Sequence, residues 1–459
     1  MTIEDRATSA AANRPVGAPK DTQVPKVDPH RARRAMIGAW LGFFVDLFDI
    51  YLPIIALAPA IGYFVSPGLG PEGVAIVSGC IFAATLIGRP VGAAIFGRMA
   101  DTVGRKRATI VAMTGAGAVT LCMALLPGYQ QLGLASVVLF VTLRLLAGVF
   151  LGGEYTGANP LAMEAAPPAK RGLYSGIINT GFPLAYAAVS VITLLLLLVM
   201  PSQGVDSDYA VWGWRVPFVI GALLSFALAL YFHRSVSESE VFAETKPNRA
   251  PLRDLFARDN ARRFVQVFIL MNGFWLSLQP VAASLPQLLG KDGVGMTSVQ
   301  VTLVMVVAYL LLAGADVGAA VLSQRIGRRR FLVAAASIMA VVGTALFLSL
   351  SRLGADVPMW AVAATVLLVI IVVGPWGVLP AYINERFPTS VRASGYGLAY
   401  SLAVVAPSFY AFYQAGLSAF MPFNDTGAVL IAIGAVLVLC GALSGPETRN
   451  VDMRSSGNG

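Results

Sequence analysis

Long apolar segments separated by short polar breaks run along most of this chain of 459 residues. An apolar stretch of about 20 residues is long enough to cross a bilayer as a helix. Dividing the sequence at its polar breaks predicts twelve such helices, at residues 35–64, 74–97, 108–127, 134–165, 172–200, 213–232, 263–289, 297–323, 331–350, 358–385, 393–420 and 426–444. The pattern therefore predicts an all-α membrane protein.

Two charged signatures occur twice, about half a chain apart. The segment GRMADTVGRKR at 97–107 has a degenerate counterpart, AVLSQRIGRRR, at 320–330. A glutamate, a proline and an arginine also recur with a constant offset of 221 residues, as Glu164, Pro167, Arg171 and then Glu385, Pro388, Arg392. Because both signatures lie between apolar segments, they predict two six-helix halves related by pseudo-two-fold symmetry.

Composition and charge agree with a membrane location. The chain is 57% hydrophobic and 12% charged, with a mean hydropathy of +0.72, whereas soluble domains carry about 25% charged residues. With both termini in the cytoplasm, the outer loops contain only Arg215, Lys291 and Arg352 as basic residues. Basic residues favour the cytoplasmic side. The net charge of +9 therefore indicates topology in the plasma membrane and does not indicate nucleic-acid binding.

The spacing of apolar and polar segments also predicts the domain organisation. The first residues are rich in alanine, proline and charge, a composition typical of disorder. The predicted parts are a disordered cytoplasmic tail at 1–34, an N-terminal six-helix bundle at 35–232, a cytoplasmic linker at 233–262, a C-terminal six-helix bundle at 263–445, and a cytoplasmic tail at 446–459.

The repeated charges are predicted to form a conformational latch on the cytoplasmic side. Positive-inside topology explains the basic residues, but it does not explain the ordered Gly–Asp–Gly–Arg spacing or its echo in the second half. Charges that bracket cytoplasmic turns can pair and separate as two halves rock. The predicted latch residues are Asp101, Arg105, Glu164, Arg171, Arg328, Glu385 and Arg392.

Charged residues also lie within predicted helices of the first half, where they are costly and usually functional. Asp46, Asp49 and Glu154 are the candidates for proton coupling, and Arg144 and Arg89 are those for substrate binding. Arginine suits bidentate carboxylate recognition, and a carboxylate beside an arginine exchanges its proton as a competing anion comes and goes. The alternative is a fixed ion network that only holds helices one, two and four together.

The second half offers polar and aromatic groups more than charge. Asn272, Trp275 and Gln279 share one face of helix seven, and they are predicted to contribute to substrate specificity. Asp316, alone in helix eight, is either a cavity group or a partner for an arginine of the basic loop that follows.

Other kinds of chemistry are not indicated. The cysteines and histidines are dispersed, at Cys80, Cys122, Cys440, His30 and His233, which does not match the spacing of a disulfide framework or a zinc site. No nucleophile–base constellation is visible in the sequence. We expect no enzyme activity, no metal and no cofactor, with a proton gradient as the energy source.

The sequence resembles the major facilitator superfamily. The resemblance lies in the repeat, the loop motif and the run RLLAGVFLGGE at 144–154. Finer motifs are similar to its metabolite:proton symporter branch, whose members carry carboxylates, shikimate-like acids or betaine-type zwitterions. Those motifs are GFFVDLFDIY at 42–51, GRPVGAAIFGRMAD at 88–101, MEAAPPAKRG at 163–172, SESEVFAE at 237–244 and PET at 446–448.

The chain departs from that branch at two places. The branch usually carries a Glu–Trp–aromatic–Asp pattern in helix one, where this chain reads Asp46-Leu47-Phe48-Asp49. The second basic loop has Gln324 where an aspartate is usual. We therefore expect a weaker latch in the second half.

The resemblance implies alternating access by two rocking halves, with bends at steps such as Gly374-Pro375. With the buried charges, it predicts proton-coupled import of a small organic acid. The alternatives are a zwitterion, sugar or polyol substrate on the same fold, an exchanger or efflux pump, and a membrane sensor that binds without transport. The expected partners are a small anionic substrate, protons and the lipid bilayer, and the protein is expected to be a monomer.

Overall fold

The structure, a computed structural model, describes residues 29–453 except 67, 70, 203, 239–250, 291–292 and 354–358. Within these residues all regular secondary structure is helical. Most of the predicted tail at 1–34, the middle of the predicted linker and the last part of the predicted C-terminal tail lie outside the described residues.

Eleven helices among the described residues are long and apolar enough to cross a membrane. They are α1 (Pro29–Ala56), α2 (Val77–Thr102), α3 (Arg105–Ala124), α4 (Leu134–Ala165), α5 (Pro168–Val199), α6 (Tyr209–Ser235), α7 (Asp259–Leu289), α8 (Val299–Ile326), α9 (Arg328–Ser351), α10 (Trp360–Arg386) and α12 (Phe423–Ser444). A further segment, α11, consists of two helices, Arg392–Leu402 and Tyr410–Leu417. The predicted all-α class, with two halves of six segments, is confirmed.

The eleventh segment differs from the continuous helix predicted at 393–420. Its two helices are separated by turns and by the 3₁₀ segment Pro407–Phe409. Proline has no amide hydrogen, and its ring clashes with the carbonyl four residues earlier. Pro407 therefore interrupts the α-helical hydrogen bonds that the apolar pattern alone predicts. A second 3₁₀ segment, Gly374–Val378 in α10, lies at the predicted Gly–Pro bend.

Two helix starts also differ from the predicted boundaries. The first helix begins at Pro29, so residues 29–34 are helical rather than part of a tail. Helix α7 begins at Asp259, within the segment predicted as linker. Apolar patterning marks only the part of a helix that lies in lipid, while arginine is itself a good helix former. Polar turns of these helices therefore extend beyond the apolar segments.

Close backbone contact between α2 and α4 organises the first half. Gly88 and Gly92 on α2 face α4, and Gly148 and Gly152 on α4 face α2. A Cβ atom on any of the four would press on backbone atoms of the opposite helix. Small residues at this spacing let membrane helices approach closely. The contact fixes the relative depth of the buried arginine that each helix carries.

The two halves meet along α2 and α11 and along α5 and α8. The described chain ends, Pro29 and Met453, lie at one end of the bundle with the turns that follow α2, α4, α8 and α10. We call this end the terminal face. The loops after α3 and α5 lie at the other end, which we call the opposite face.

Candidate functional site

The buried charges of the first half converge between α1, α2 and α4 and form two ion pairs. Arg89 donates from Nη1 to Asp46 Oδ1 at 2.9 Å and from Nη2 to Asp46 Oδ2 at 2.8 Å. Arg144 Nη1 donates to Asp49 Oδ2 at 2.8 Å. All four side chains are buried. The structure therefore brings the predicted proton and substrate residues together, with each aspartate bound to a different arginine.

The second of these pairs has further partners. Thr120 of α3 donates from Oγ1 to Asp49 Oδ1 at 2.7 Å, and Arg144 donates from Nε to Thr85 Oγ1 at 2.8 Å. Arg144 Nη2 also donates to the backbone oxygen of Asp49 at 3.2 Å. Neither threonine is among the residues predicted from the sequence. Thr85 precedes Arg89 by four residues on the same face of α2, and this is the signal that identifies it.

Glu154 is the exception in this cluster, because no cation is bonded to it. It is fully buried, and neither carboxyl oxygen has a hydrogen-bond partner among the described residues. It lies against Gly42 of α1, where a Cβ atom would overlap the carboxyl group. Its charged neighbours are Asp46 and Arg89, and these two are already paired with each other. Glu154 is therefore the least compensated acidic group in the cluster. Its ionised form is strongly disfavoured, because a buried carboxylate needs a partner.

A cleft lies beside this cluster, between α1, α2 and α7, towards the opposite face. Its empty volume is about 420 Å³, including solvent at its mouth. It is lined by Leu47, Ile50, Tyr51, Ile54, Phe82, Leu86, Trp275, Leu278, Gln279, Ala282 and Ala283. The lining is mainly apolar, and Tyr51 and Gln279 supply polar groups. On α1 the lining residues Leu47, Ile50, Tyr51 and Ile54 share one face. Asp49 lies on the other side of this helix, where it contacts Thr120 and Arg144.

The three residues predicted on one face of α7 are not equivalent in the structure. Trp275 and Gln279 line the cleft. Asn272 does not, and its Nδ2 donates to the backbone oxygen of Phe268 in the preceding turn at 3.0 Å. A shared helix face therefore brings two of the three to the same space.

Aromatic rings fill the space between the cleft and the terminal face. Tyr155 of α4 contacts Tyr400 of α11, with ring centroids 4.2 Å apart. Trp275 donates from Nε1 to the backbone oxygen of Tyr400 at 3.1 Å. In the other contact between the halves, Tyr186 of α5 stacks on Tyr309 of α8 at 4.0 Å. These contacts between α4 and α11 and between α5 and α8 close the bundle below the cleft.

At the terminal face, Asp101 joins the end of α2 to the start of α11. Its Oδ2 accepts hydrogen bonds from Ser394 N at 2.9 Å and Ser394 Oγ at 2.7 Å, and its Oδ1 accepts one from Ala393 N at 3.3 Å. Arg105 Nη1 lies 3.2 Å from the same carboxylate. A carboxylate is favourable at a helix N-terminus, where the free amides carry partial positive charge. Asp101 therefore links the two halves directly.

Glu164 forms a second bridge between the halves. It accepts hydrogen bonds from Arg392 Nη1 at 2.7 Å and from Arg105 Nη2 at 3.3 Å. Arg105 also donates to the backbone oxygen of Thr389 in the turn before α11, at 3.1 Å. Arg171 donates to the backbone oxygen of Val451 at 2.6 Å. The predicted latch residues of the first half thus contact the second half or the C-terminal segment.

The second half repeats this arrangement with a neutral acceptor. Arg328 Nη2 lies 3.4 Å from Glu385 Oε1. Gln324 accepts hydrogen bonds from Arg328 Nη2 at 2.6 Å and from Gly172 N, at the start of the α5 helix, at 3.1 Å. Gln324 therefore occupies the position that Asp101 occupies in the first half, at the offset of the repeat. The hydrogen bond of an amide lacks the charge assistance of a carboxylate.

Two glutamates that the sequence analysis did not assign complete the terminal face. Glu238 accepts hydrogen bonds from Arg105 N at 3.0 Å and Lys106 N at 3.2 Å, at the start of α3. Glu447 accepts hydrogen bonds from Arg328 N at 2.8 Å and Arg329 N at 3.2 Å, at the start of α9. Both glutamates lie in motifs quoted from the sequence, but the spacing does not reveal which helix each carboxylate caps.

Comparison with known proteins finds similar membrane transport proteins. The family profile of the Major Facilitator Superfamily matches residues 39–411. The chain is 28% identical over 426 residues to the inner membrane metabolite transport protein YhjE of Escherichia coli (strain K12), covering 91% of this chain and 94% of that protein. It is 28% identical over 392 residues to the citrate-proton symporter of Salmonella typhi, covering 82% of this chain and 86% of that protein.

A solved structure has the same fold. The proton:xylose symporter XylE, bound to 6-bromo-6-deoxy-D-glucose, matches with a TM-score of 0.74 and 17% identity, covering 92% of this chain and 98% of that chain. The family match and the fold indicate a multi-pass membrane transporter rather than an enzyme. This chain belongs to the Major Facilitator Superfamily.

Proposed function

We propose that the protein imports a small organic acid together with protons across the plasma membrane by alternating access. The observation that carries this proposal is the cluster between α1, α2 and α4, where Glu154 lies uncompensated beside two Asp–Arg pairs. The similarity to a citrate-proton symporter supports both the substrate class and the coupling ion.

The balance of charges in the cluster supports Glu154 as the proton site. Two guanidiniums neutralise two aspartates, which leaves one carboxyl group without a cation. Glu154 is stable in this position when it carries a proton, because the neutral form avoids the burial of an isolated charge. Arg89 and Arg144 each hold one aspartate in this conformation. Each aspartate becomes a proton acceptor when its arginine binds another anion.

Arg144 is the residue that we assign to the substrate carboxylate. It binds one carboxylate oxygen of Asp49, and its planar guanidinium can exchange this contact for a bidentate contact with a substrate carboxylate. The apolar lining then contacts the body of the substrate, and Tyr51 and Gln279 offer hydrogen bonds. Substrate binding therefore releases Asp49, and the proton that Asp49 takes up moves with the substrate.

The closed terminal face supplies the second requirement of alternating access. We place this face in the cytoplasm with both termini, because the basic residues of the sequence concentrate there. Release to the cytoplasm then requires separation of Asp101 from α11 and of Glu164 from Arg392. In this proposed orientation, the intact latch corresponds to a conformation that is closed to the cytoplasm.

Uptake into proteoliposomes tests the proposal. Labelled citrate, another carboxylate, a betaine and a pentose are offered with and without an inward proton gradient. We expect carboxylate uptake that the gradient drives. We expect Glu154→Gln to abolish accumulation driven by the gradient while preserving exchange of substrate at equal pH. Asp425→Asn, which alters a pair with the exposed Arg352 outside the cluster, is the matched control and retains coupled uptake.

Several results would contradict this proposal and indicate a different substrate or function. Preference for the pentose or the betaine assigns a neutral or zwitterionic substrate. Uptake that depends on substrate inside the vesicle and ignores the gradient assigns exchange. Binding in a thermal-shift assay without any flux assigns a sensor. Normal anion affinity in Arg144→Lys would contradict direct recognition by Arg144, since lysine does not reproduce the bidentate geometry.

A further inference from the structure

A second buried carboxyl group lies away from the charge cluster, where α5 of one half meets α8 of the other. Asp316 of α8 is fully buried. Its Oδ2 accepts a hydrogen bond from Asn179 Nδ2 of α5 at 3.0 Å. Its Oδ1 has no partner among the described residues. The Asp316–Asn179 pair is therefore a contact between the halves that exists only while these two helices are together.

On the side of the terminal face, three helices approach the pair closely. A Cβ atom at Gly377 of α10 would press on the backbone of Asp316, and one at Gly176 of α5 would press on the backbone of the next residue, Val317. Ser175 Oγ donates to the backbone oxygen of Gly377 at 2.6 Å and accepts a hydrogen bond from Ala381 N at 3.0 Å. Water from the terminal face does not reach Asp316 until these contacts separate.

On the side of the opposite face, aromatic rings cover the pair. Tyr186 lies two helical turns beyond Asn179 on α5, and Tyr309 lies two turns beyond Asp316 on α8. The two rings stack at 4.0 Å, and Phe182 packs against Tyr309 at 5.5 Å. The carboxyl group is therefore closed from both sides in this conformation.

No cation compensates Asp316 among the described residues. The titratable groups that face this region are Tyr186 from α5, Tyr309 from α8 and Tyr51 from α1, all of them phenols, and α10 presents Gly377. The arginine partner considered from the sequence is not used. Arg328 bonds with Glu385, Gln324 and Ser323, and Arg325 is exposed at the terminal face.

We propose that Asp316, held by Asn179, is a second proton-binding site, which is occupied while the terminal face is closed and empties when that face opens. A buried carboxyl group without a cation is stable only when it is neutral. Separation of α5 from α8 exposes it to water, where the ionised form is favoured. Closure then requires a proton from the aqueous phase at the terminal face. This proposal depends on the alternating access of the proposed function, but it does not depend on the identity of the substrate or on the role of Glu154.

The direction of the pH effect follows from this linkage. The closed form binds a proton that the open form releases, so closure weakens as the pH at the terminal face rises. For one proton, the ratio of closed to open protein falls by about tenfold per pH unit over the range in which the open form is ionised. The site thus makes the return of the empty transporter sensitive to the pH on that side.

Spin labels at Arg107→Cys and Arg330→Cys measure the opening directly. Both positions are exposed at the terminal face, in different halves, and the three native cysteines are replaced beforehand. In purified full-length protein, we expect a rise in pH to increase the fraction of long distances. Asp316→Asn mimics the neutral carboxyl group and keeps an acceptor for Asn179, so it should remain closed at every pH and lose the approximately tenfold change per unit.

Infrared spectroscopy is the second measurement, and it does not depend on the labels. The part of the protonated-carboxyl carbonyl stretch that disappears as the terminal face opens with rising pH should be lost in Asp316→Asn and persist in Glu154→Gln, which removes only the separate contribution of Glu154. An unchanged pH midpoint in Asp316→Asn, an unchanged infrared band, or closure that depends on sodium rather than on pH would overturn the proposal. Failure of Glu154→Gln to affect coupled uptake contradicts the proposed function alone, because the titration of Asp316 is measured without substrate.

Discussion

At the scale of single residues, Asp46 and Asp49 show how a helix distributes buried charge. Successive residues of an α-helix are rotated by about 100°, so side chains three apart point about 60° away from each other. Asp46 therefore reaches Arg89 of α2, while Asp49 reaches Arg144 of α4. Each aspartate neutralises one arginine, so neither arginine is left to compensate Glu154.

The Asp46–Arg89 pair gives a prediction about stability. Asp46→Asn leaves Arg89 charged and without a counter-ion, and loss of one partner of a buried pair destabilises a protein by about 3 to 5 kcal/mol. The double variant Asp46→Asn/Arg89→Met removes both charges and should recover most of that loss. Thermal unfolding of the single and double variants in detergent forms a double-mutant cycle that measures this coupling.

Transport measurements separate the two roles of this pair. If it only holds α1 and α2 together, the double variant regains coupled uptake along with its stability. If it takes part in proton coupling, stability returns and gradient-driven uptake does not. A single Asp46→Asn variant as stable as the unchanged protein would contradict the pairing itself.

Sequence reasoning identified the residues of this cluster but not their bonds. A charge in an apolar segment is visible in the sequence because lipid strongly disfavours it, so Asp46, Asp49, Arg89, Arg144 and Glu154 could all be named. The rotation of α1 against α2 and α4 decides which aspartate meets which arginine, and no local pattern encodes it. For the same reason, the isolation of Glu154 became visible only in the structure.

At the scale of helices, glycine determines how closely α2 and α4 approach. Gly92→Ala would place a methyl group on the backbone of Val149, and a backbone cannot move aside as a flexible side chain can. Overpacking of this kind costs about 1 to 3 kcal/mol. We expect a lower unfolding temperature and a smaller yield of folded protein. Gly318→Ala is the control, because nothing lies within 4 Å of its added Cβ atom. Equal losses in both variants would contradict close packing as the cause.

Helix continuity was predicted less well than helix existence. The apolar content of residues 393–420 correctly marked a membrane segment, but Pro407 and the turns before it divide that segment. Hydropathy measures the preference for lipid and carries no information on backbone hydrogen bonds. The polar first turns of α1 and of the α7 helix were missed for the converse reason, since they are helical without being apolar.

At the scale of the whole molecule, the repeat produces two latches of unequal strength. Asp101 and Gln324 occupy equivalent positions, and each accepts a hydrogen bond from the first turn of a helix in the other half. Asp101 is charged and accepts three such bonds, whereas Gln324 is neutral and accepts one from the helix start. The contact of α2 with α11 is therefore the stronger of the two.

This asymmetry predicts unequal effects of truncation at the two positions. Asp101→Ala removes several charge-assisted hydrogen bonds and should weaken closure of the terminal face by about 3 kcal/mol. Of the bonds between the halves, Gln324→Ala removes one neutral bond, from Gly172 N, worth about 1 kcal/mol. Distances between labels at Arg107→Cys and Arg330→Cys report the open fraction in each variant, with Asp425→Asn at the opposite face as the control. Larger opening in Gln324→Ala would show that the charged latch does not dominate. If the effects follow the predicted order, the open fraction rises most in Asp101→Ala, the variant that separates α2 from α11. The contact of α5 with α8 at Asp316 is then the remaining barrier to opening.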